Sequence, residues 1–283
     1  MTYLLVNPPF FRFMGLEQDY APLSLMSVGA YLEEQGHVVY IKNLEVMDTL
    51  EYKGYRDRTN SFDKYLDAIK DDNNEAWKLC SKIIDEINPD VVGITVMTVK
   101  YQSALKIATI AHAKGKSVIV GGPHLNVYPK SFPDYVKVYT GEFESQGGPR
   151  YVLDKLPFFN YNQLLDKYSS EGLAHITSSR GCPFKCRFCA SDTIWHRKVT
   201  TKSVDRILTE MQTIHDKFNP PHFTFWDETF TLNKKKILEF CSKYKLTTKW
   251  RCDTRADVLS EEVLDAMSKA GCDQMSIGVE SGS

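Results

Sequence analysis

Short apolar runs recur along the first half of the chain, and between them apolar positions fall three or four residues apart. Tyr3 to Val6, Val38 to Ile41, Val91 to Val96, Val118 to Val120 and Val136 to Tyr139 are β-branched or aromatic runs bounded by turn residues, which predicts five strands. Leu25, Val28 and Leu32 mark one helical stripe, Trp77, Cys80, Ile84 and Ile87 a second, and Ala104, Ile107, Ala108 and Ala111 a third. Strand and helix patterns in alternation are the signature of parallel βαβ units, so the fold class is α/β with one doubly wound sheet. Residues 43 to 74, with the runs EYKGYRDRTN and DDNNE, lack a clear period and predict a solvated excursion without a functional role.

Residues 146–171 contain QGGPR, LPFFNYN and YSSEG, rich in turn residues, and predict a linker between a domain at 1–145 and another at 172–283. Beyond the linker the alternation resumes. AHITSS, HFTFWD, TTKWRCD and QMSIGV predict four more strands, with Val204, Ile207, Leu208, Met211 and Ile214, then Ile237, Cys241 and Tyr244, on the inner faces of intervening helices. A last helix is bracketed by Ser260, with Glu261 and Glu262 in its first turn, and by Gly271.

A length of 283 residues suits two cores better than one. With 35 Lys and Arg against 36 Asp and Glu, the net charge of −1 provides no general attraction to nucleic acid or anionic membrane, so small molecules are the expected partners. The start MTYLLVNPPF has no basic segment leading into a long apolar one, and a cytoplasmic location is the expectation.

Seven cysteines fit no disulfide framework, and three of them lie close together in SRGCPFKCRFCASDTIW. Cys182, Cys186 and Cys189 have the spacing CxxxCxxC. Three thiolates on one loop can hold three corners of a cubane iron–sulfur cluster and leave one iron open, whereas an electron-transfer cluster takes four. An open position is what makes a metal site reactive. Gly181 and Pro183 favour a tight irregular loop, placed after a strand where α/β folds carry their ligands. Two other readings stay open, a zinc site with His196 as fourth ligand and a redox-passive cluster. Cys80, Cys241, Cys252 and Cys272 are scattered and read as ordinary buried thiols.

The stretch TSSRGCPFKCRFCA, with FTFWDETF, WRCDTRADVL and SIGVESGS, resembles the core of radical SAM enzymes over residues 172–283. The resemblance implies a 4Fe-4S cluster held by Cys182, Cys186 and Cys189, whose open iron chelates S-adenosylmethionine for reductive cleavage. It implies S-adenosylmethionine contacts from the Phe188 region, Asp227, Glu228, Arg255 and Glu280, and a reductant such as flavodoxin or ferredoxin. Each of these polar residues also has a structural alternative: Asp227 can cap the turn after its strand, Arg255 can pair with Asp253 or Asp257, and Glu280 can cap a helix. The family's partial barrel has six strands where four are predicted here, so the resemblance further implies an incomplete core, with an open strand edge that promotes association.

Over residues 1–144 the series NPPF, PLSLMSVGAYLEEQGHVV, PDVVGITVMT, VIVGGPH and TGEFE resembles the flavodoxin-like cobalamin-binding domain that precedes many radical SAM cores. It implies a corrin lying over these loops, with cobalamin contacts from Asn7, Pro8, Thr95, Thr98, Gly121, Gly122 and Glu142. The DxHxxG motif is missing, so no lower cobalt ligand is identified; His124, on another loop, is a weak candidate. No GxGxxG fingerprint supports a dinucleotide instead. Only a few residues follow TGEFE, which puts a closing helix in doubt. The implied function is cobalamin-dependent radical chemistry, foremost methyl transfer to an unactivated carbon of a small molecule. The alternatives are a radical cyclase or rearrangement enzyme and a noncatalytic cofactor-binding module, while neutral charge and the different N-terminal domain disfavour a nucleic-acid-modifying methylthiotransferase.

Overall fold

The computed structural model describes residues 1–16, 19–46, 62–145 and 151–279. Contacts divide the chain into two compact units, one of residues 1–151 with 156–167 and one of 152–155 with 168–283.

The first unit carries β1 (Thr2–Asn7), α1 (Leu23–Glu34), β2 (Val38–Asn43), α2 (Phe62–Lys70), α3 (Glu75–Ile87), β3 (Val91–Thr95), α4 (Tyr101–Ala113), β4 (Ser117–Gly121), α5 (Pro123–Val127) and β5 (Val136–Val138). Its strands are all parallel in the order β2-β1-β3-β4-β5. That is the flavodoxin-like doubly wound order, in which chain reversal between β1 and β3 opens a crevice at the carboxyl ends of the strands. Leu4, Val92, Val120, Ala104, Ile107 and Ile84 form the centre of the core, each at most 1% exposed. The alanine-rich face of α4 allows that helix to sit close to the sheet.

Two parts of this unit differ from the sequence reading. The stretch 43–74 is not simply solvated: its later part forms α2, and Leu44 and Glu45 at its start are fully buried. Phe62, Tyr65, Leu66 and Ile69 give α2 an apolar face, and the Tyr65 ring meets Phe10 edge-on at 4.8 Å. Residues 47–61 of that stretch, and 146–150 of the expected linker, lie outside the described residues. The remaining linker residues do not run free. Leu165 N–H donates to Ile41 O at 2.9 Å, Asp166 accepts from Asn43 N–H at 2.6 Å and pairs with Lys42, and Phe159 packs beside Gly29. This segment therefore covers β2, which would otherwise be a bare sheet edge. After β5 a single 3-10 turn at Phe143–Ser145 stands where a closing helix was in question.

The second unit contains β6 (His175–Ile176), β7 (Ser179–Arg180), α6 (Ser191–Trp195), β8 (Thr200–Thr201), α7 (Val204–Phe218), β9 (His222–Phe225), α8 (Lys234–Lys243), β10 (Lys249–Thr254), α9 (Glu261–Lys269) and β11 (Cys272–Ile277). The four-stranded sheet is parallel in the order β11-β10-β9-β6, so each new strand adds beside the previous one, the winding of a partial β/α barrel. Ser203, Asn233 and Ser260 cap α7, α8 and α9 by accepting from Arg206, Lys236 and Val263 N–H. Phe225, Phe230, Phe240 and Trp250 pack ring against ring between sheet and helices, with Phe225 and Phe230 centroids 4.4 Å apart. Alternation along β9 and β10 sends Thr224 and Arg251 to the opposite face, where Arg251 Nε donates to Thr224 Oγ at 2.8 Å.

Candidate functional site

The cysteine loop leaves β7 and returns through β8, and these two short strands pair antiparallel, Ser179 with Thr201 and Arg180 with Thr200. The pairing holds both ends of the loop, a device the sequence reading did not anticipate. Between them, Gly181 has φ +96°, and a Cβ there would lie 2.1 Å from the Lys198 carbonyl oxygen. Only glycine lets the outgoing and returning chains approach this closely.

Asp227, after β9, is 3% exposed and anchors the entry to the loop. Its carboxylate accepts from Ser178 N–H at 3.0 Å and Ser178 Oγ at 2.9 Å, and also from Ser179 Oγ. Burial raises its pKa, opposed by these donors and by nearby Lys236. Lys236 Nζ donates to Ser178 O at 3.1 Å, which fixes the same turn from the other side. The Asp227 side chain thus holds the segment between β6 and β7, not the turn after its own strand. Glu228 Oε2 accepts the Gly181 N–H at 3.2 Å.

Cys182 is buried with its sulfur 3.9 Å from Thr229 Oγ, Cys186 is partly exposed, and Cys189 is exposed and accepts Ser191 N–H at 3.4 Å. Among the described residues, no three His, Cys, Asp or Glu side chains are drawn together tightly enough to hold a single metal ion. His196 is exposed, at the C-cap of α6 with φ 50°. A tetrahedral zinc would require sulfurs about 3.8 Å apart, from Zn–S bonds of ~2.3 Å. A cubane takes each thiolate on a separate iron, and three cysteines on one loop are donors of the kind it takes.

Arg255, after β10, reaches the same loop. Its guanidinium donates to Cys186 Sγ at 3.1 Å, forms a two-point pair with Asp257 at 2.9 and 2.7 Å, and lies 4.1 Å over the Phe184 ring. Of the pairings open from sequence, the structure selects Asp257 and adds the sulfur. Asp257 raises the Arg255 pKa further, and the guanidinium in turn lowers that of Asp257. Phe188 is 71% exposed, so its ring is available to a planar ligand. Glu280 lies outside the described residues. The remaining thiols are of another kind: burial pushes Cys80 and Cys241 up to about 12, which makes them poor nucleophiles. Cys252 and Cys272, on adjacent strands, share a thiol hydrogen bond that raises the first and lowers the second.

In the first unit the loops after β3, β4 and β5 are tied together at the carboxyl ends. Val96 N–H donates to Gly121 O at 2.7 Å, His124 N–H to Val96 O at 3.1 Å, and Gly141 N–H to Asn126 Oδ1 at 3.1 Å. Gly122 has φ +115°, and a Cβ there would meet Val96 N and O at 2.8 Å and Thr95 Oγ at 3.3 Å. At Gly121 a Cβ would point into open space, so a ligand can approach the backbone there. Thr98 Oγ is bonded to His124 Nδ1 and Ser131 Oγ to His124 Nε2, both at 3.2 Å. Both ring nitrogens of His124 are thus engaged within the unit, and burial lowers its pKa. Glu142 is partly exposed beside the last loop, while Asn7 and Pro8 are buried.

Sequence reasoning missed what surrounds Gly121. Met97 and Val99, after β3, and Val127 and Tyr128, at the end of α5, are 46% to 56% exposed, and the two segments are joined by the Val96 hydrogen bonds. Large apolar side chains left exposed near the open end of a sheet are candidates for a ligand surface. Their signal was present as the loops TVMTVK and LNVY, where apolar residues occur outside any strand or helix period.

Comparison with known proteins bears on both units. Residues 176–283 match the family model of the Radical SAM superfamily, and residues 15–146 that of the B12 binding domain. An uncharacterised methyltransferase of Pyrococcus horikoshii is 30% identical over 78% of this chain and 57% of its own length. The bacteriochlorophyllide d C-12(1)-methyltransferase of Chlorobaculum tepidum is 28% identical over 68% of this chain and 48% of its own. The chain thus spans about half the length of these curated relatives. The solved radical S-adenosylmethionine methyltransferase TsrM from Kitasatospora setae, with cobalamin and a 4Fe-4S cluster bound, aligns over 98% of this chain and 58% of that one. Its TM-score of 0.67 at 16% identity is a likeness of fold.

Proposed function

The chain belongs to the radical SAM superfamily, in the group that carries a B12 binding domain ahead of the core, and on that premise we propose that it is a cobalamin-dependent methyltransferase acting on an unactivated carbon of a small molecule. The cofactors of these two domains are a 4Fe-4S cluster, S-adenosylmethionine and cobalamin. When bound they supply reductive cleavage of S-adenosylmethionine and a transferable methyl group; the protein supplies placement and exclusion of water.

The observation that carries the reading is the cysteine loop itself, clamped by β7 and β8 and approached by two charged side chains of opposite sign. Cys182, Cys186 and Cys189 would ligate three irons and leave the fourth for S-adenosylmethionine. Arg255 places a positively charged N–H donor at the Cys186 sulfur. Glu228, a carboxylate at the start of the loop, is assigned to the ammonium of S-adenosylmethionine, and the exposed Phe188 ring to its adenine. Asp227 is assigned to holding Ser178 and Ser179 rather than to ligand contact, since its carboxylate already accepts from both. Glu280 and Arg255 complete the proposed contacts to carboxylate or ribose.

Cobalamin is assigned to the carboxyl ends of β3, β4 and β5, where the open backbone at Gly121 and the apolar group of Met97, Val99, Val127 and Tyr128 fit a large, largely apolar macrocycle. Thr95, Thr98, Gly122 and Glu142 border this surface, together with Asn7 and Pro8 of the loop after β1, which Lys100 ties to the Thr98–Lys100 turn. His124 supplies no cobalt ligand. A flavodoxin- or ferredoxin-type reductant is the proposed electron donor, and no described helix is long and apolar enough to cross a membrane.

The test is anaerobic incubation of reconstituted protein with S-adenosylmethionine, cobalamin and a reductant. Methyl transfer predicts both 5′-deoxyadenosine and S-adenosylhomocysteine. The deoxynucleoside alone would favour a cyclase or rearrangement enzyme, and neither product a noncatalytic module.

A further inference from the structure

The Asn7-Pro8-Pro9-Phe10 loop at the end of β1 is held by a buried ion pair that no motif announced. Lys100 and Glu45 side chains are 3% and 0% exposed, with Nζ 2.7 Å from Oε1. Glu45 Oε2 accepts two backbone donors of the loop region, Phe10 N–H and Arg12 N–H, both at 3.0 Å. Lys100 Nζ also donates to Asn7 Oδ1 at 3.1 Å, Asn7 Nδ2 donates to Asn43 Oδ1 at 2.8 Å, and Ser103 Oγ donates to Pro9 O at 2.6 Å. Asn43 Oδ1 in turn accepts Glu45 N–H at 3.1 Å. The loop is therefore pinned at Asn7, Pro9 and Phe10, from the ends of β2 and the start of α4.

Burying two opposite charges in a unit this size is not the cheapest way to hold a loop, because apolar residues of equal volume often do as well or better. What the pair adds is geometry: one carboxylate oxygen takes two backbone donors while the ammonium spans to Asn7. We propose that Glu45 and Lys100 are positioning residues of the cobalamin surface, fixing the Asn7–Phe10 loop in the one conformation that receives the cofactor. This rests on the reading of the first unit as cobalamin-binding.

Two paired substitutions separate positioning from simple support. E45M/K100M removes both charges and the acceptor for Phe10 and Arg12; E45Q/K100M removes both charges but keeps an acceptor. Both avoid leaving one buried charge unpaired. Cobalamin affinity of the whole chain is measured by titration with hydroxocobalamin, beside the visible spectrum of the bound cofactor and the thermal unfolding midpoint. E45M/K100M is expected to bind about tenfold more weakly, the equivalent of about 1.4 kcal/mol, with an altered spectrum. E45Q/K100M is expected to stay within about fivefold of the original chain, given that a single neutral hydrogen bond contributes roughly 1 kcal/mol. Wild-type affinity in E45M/K100M, or equal weakening in two variants that unfold at the same midpoint, would overturn the proposal. Should E45M/K100M not fold, Ser103→Ala, which releases only Pro9 O, must weaken binding measurably; unchanged affinity there overturns it equally. Failure of the unsubstituted chain to bind hydroxocobalamin would instead remove the cofactor reading, and this proposal with it.

Discussion

Gly181→Ala tests the cysteine loop at its tightest point. The residue has φ +96°, and a methyl group there meets the Lys198 carbonyl oxygen at 2.1 Å, a backbone atom that cannot swing aside as a side chain end can. Forcing an L-residue into this region costs about 1–3 kcal/mol. Relief of the contact requires the returning strand β8 to move away from β7, at the cost of some of the pairing between Ser179 and Thr201 and between Arg180 and Thr200. A total near 3 kcal/mol follows, and at about 4 °C per kcal/mol for a unit of this size the second unit should unfold roughly 10 °C earlier. The loop itself should be the first casualty, so iron and labile sulfide after anaerobic reconstitution should fall well below those of the original chain, while hydroxocobalamin binding persists. Calorimetry with iron analysis checks both. A G181A protein that unfolds at the original temperature with full iron would refute the reasoning, because the glycine would then not be required by the geometry.

Gly122→Ala should do the corresponding damage in the first unit, since its Cβ would meet Val96 N and O at 2.8 Å at φ +115°. A loss of about 2–3 kcal/mol by urea unfolding and weakened hydroxocobalamin binding are expected, with iron content unchanged. Arg255→Ala removes an N–H donor from the Cys186 sulfur, so the reduction potential of the reconstituted cluster should become more negative in a spectroscopically monitored titration; an unchanged potential would remove Arg255 from that role. Asp227→Asn should alter the pH dependence of stability. Because burial raises the pKa of Asp227 in the folded chain, its contribution is complete below the usual carboxylate range and declines as pH rises through the raised value. Denaturant unfolding at several pH values should show a shallower decline for D227N, and an identical profile would contradict the assignment.

How much of this was legible depended on whether the determining contacts were local. The strands of the first sheet are β-branched runs, and the stripes of α3 and α4 repeat at helical spacing, so both are visible in a short window. The helix α2 was equally readable, through Phe62, Tyr65, Leu66 and Ile69, but the polar runs around it obscured that face. The CxxxCxxC loop could be recognised because its spacing is itself the chemistry. The clamp of β7 on β8 is two residues long on each side, below any periodic signal. Lys100 and Glu45 were unreadable for a different reason: charged residues are by default solvated, and only the fold brings these two together across 55 positions of chain. Asp227 falls between the two. Its position after a strand was legible, but its bonds to Ser178, 49 positions earlier, were not.

The central claim is that three cysteines hold a cluster with one iron open to S-adenosylmethionine. Mössbauer spectra of anaerobically reconstituted, iron-57-labelled protein, recorded with and without S-adenosylmethionine, test it most directly. A 4Fe-4S signal is expected in which one iron site changes when S-adenosylmethionine is added, with loss of that cluster in Cys182→Ala, Cys186→Ala or Cys189→Ala. A spectrum indifferent to S-adenosylmethionine, a cluster that survives loss of any of the three thiols, or zinc in place of iron would contradict it.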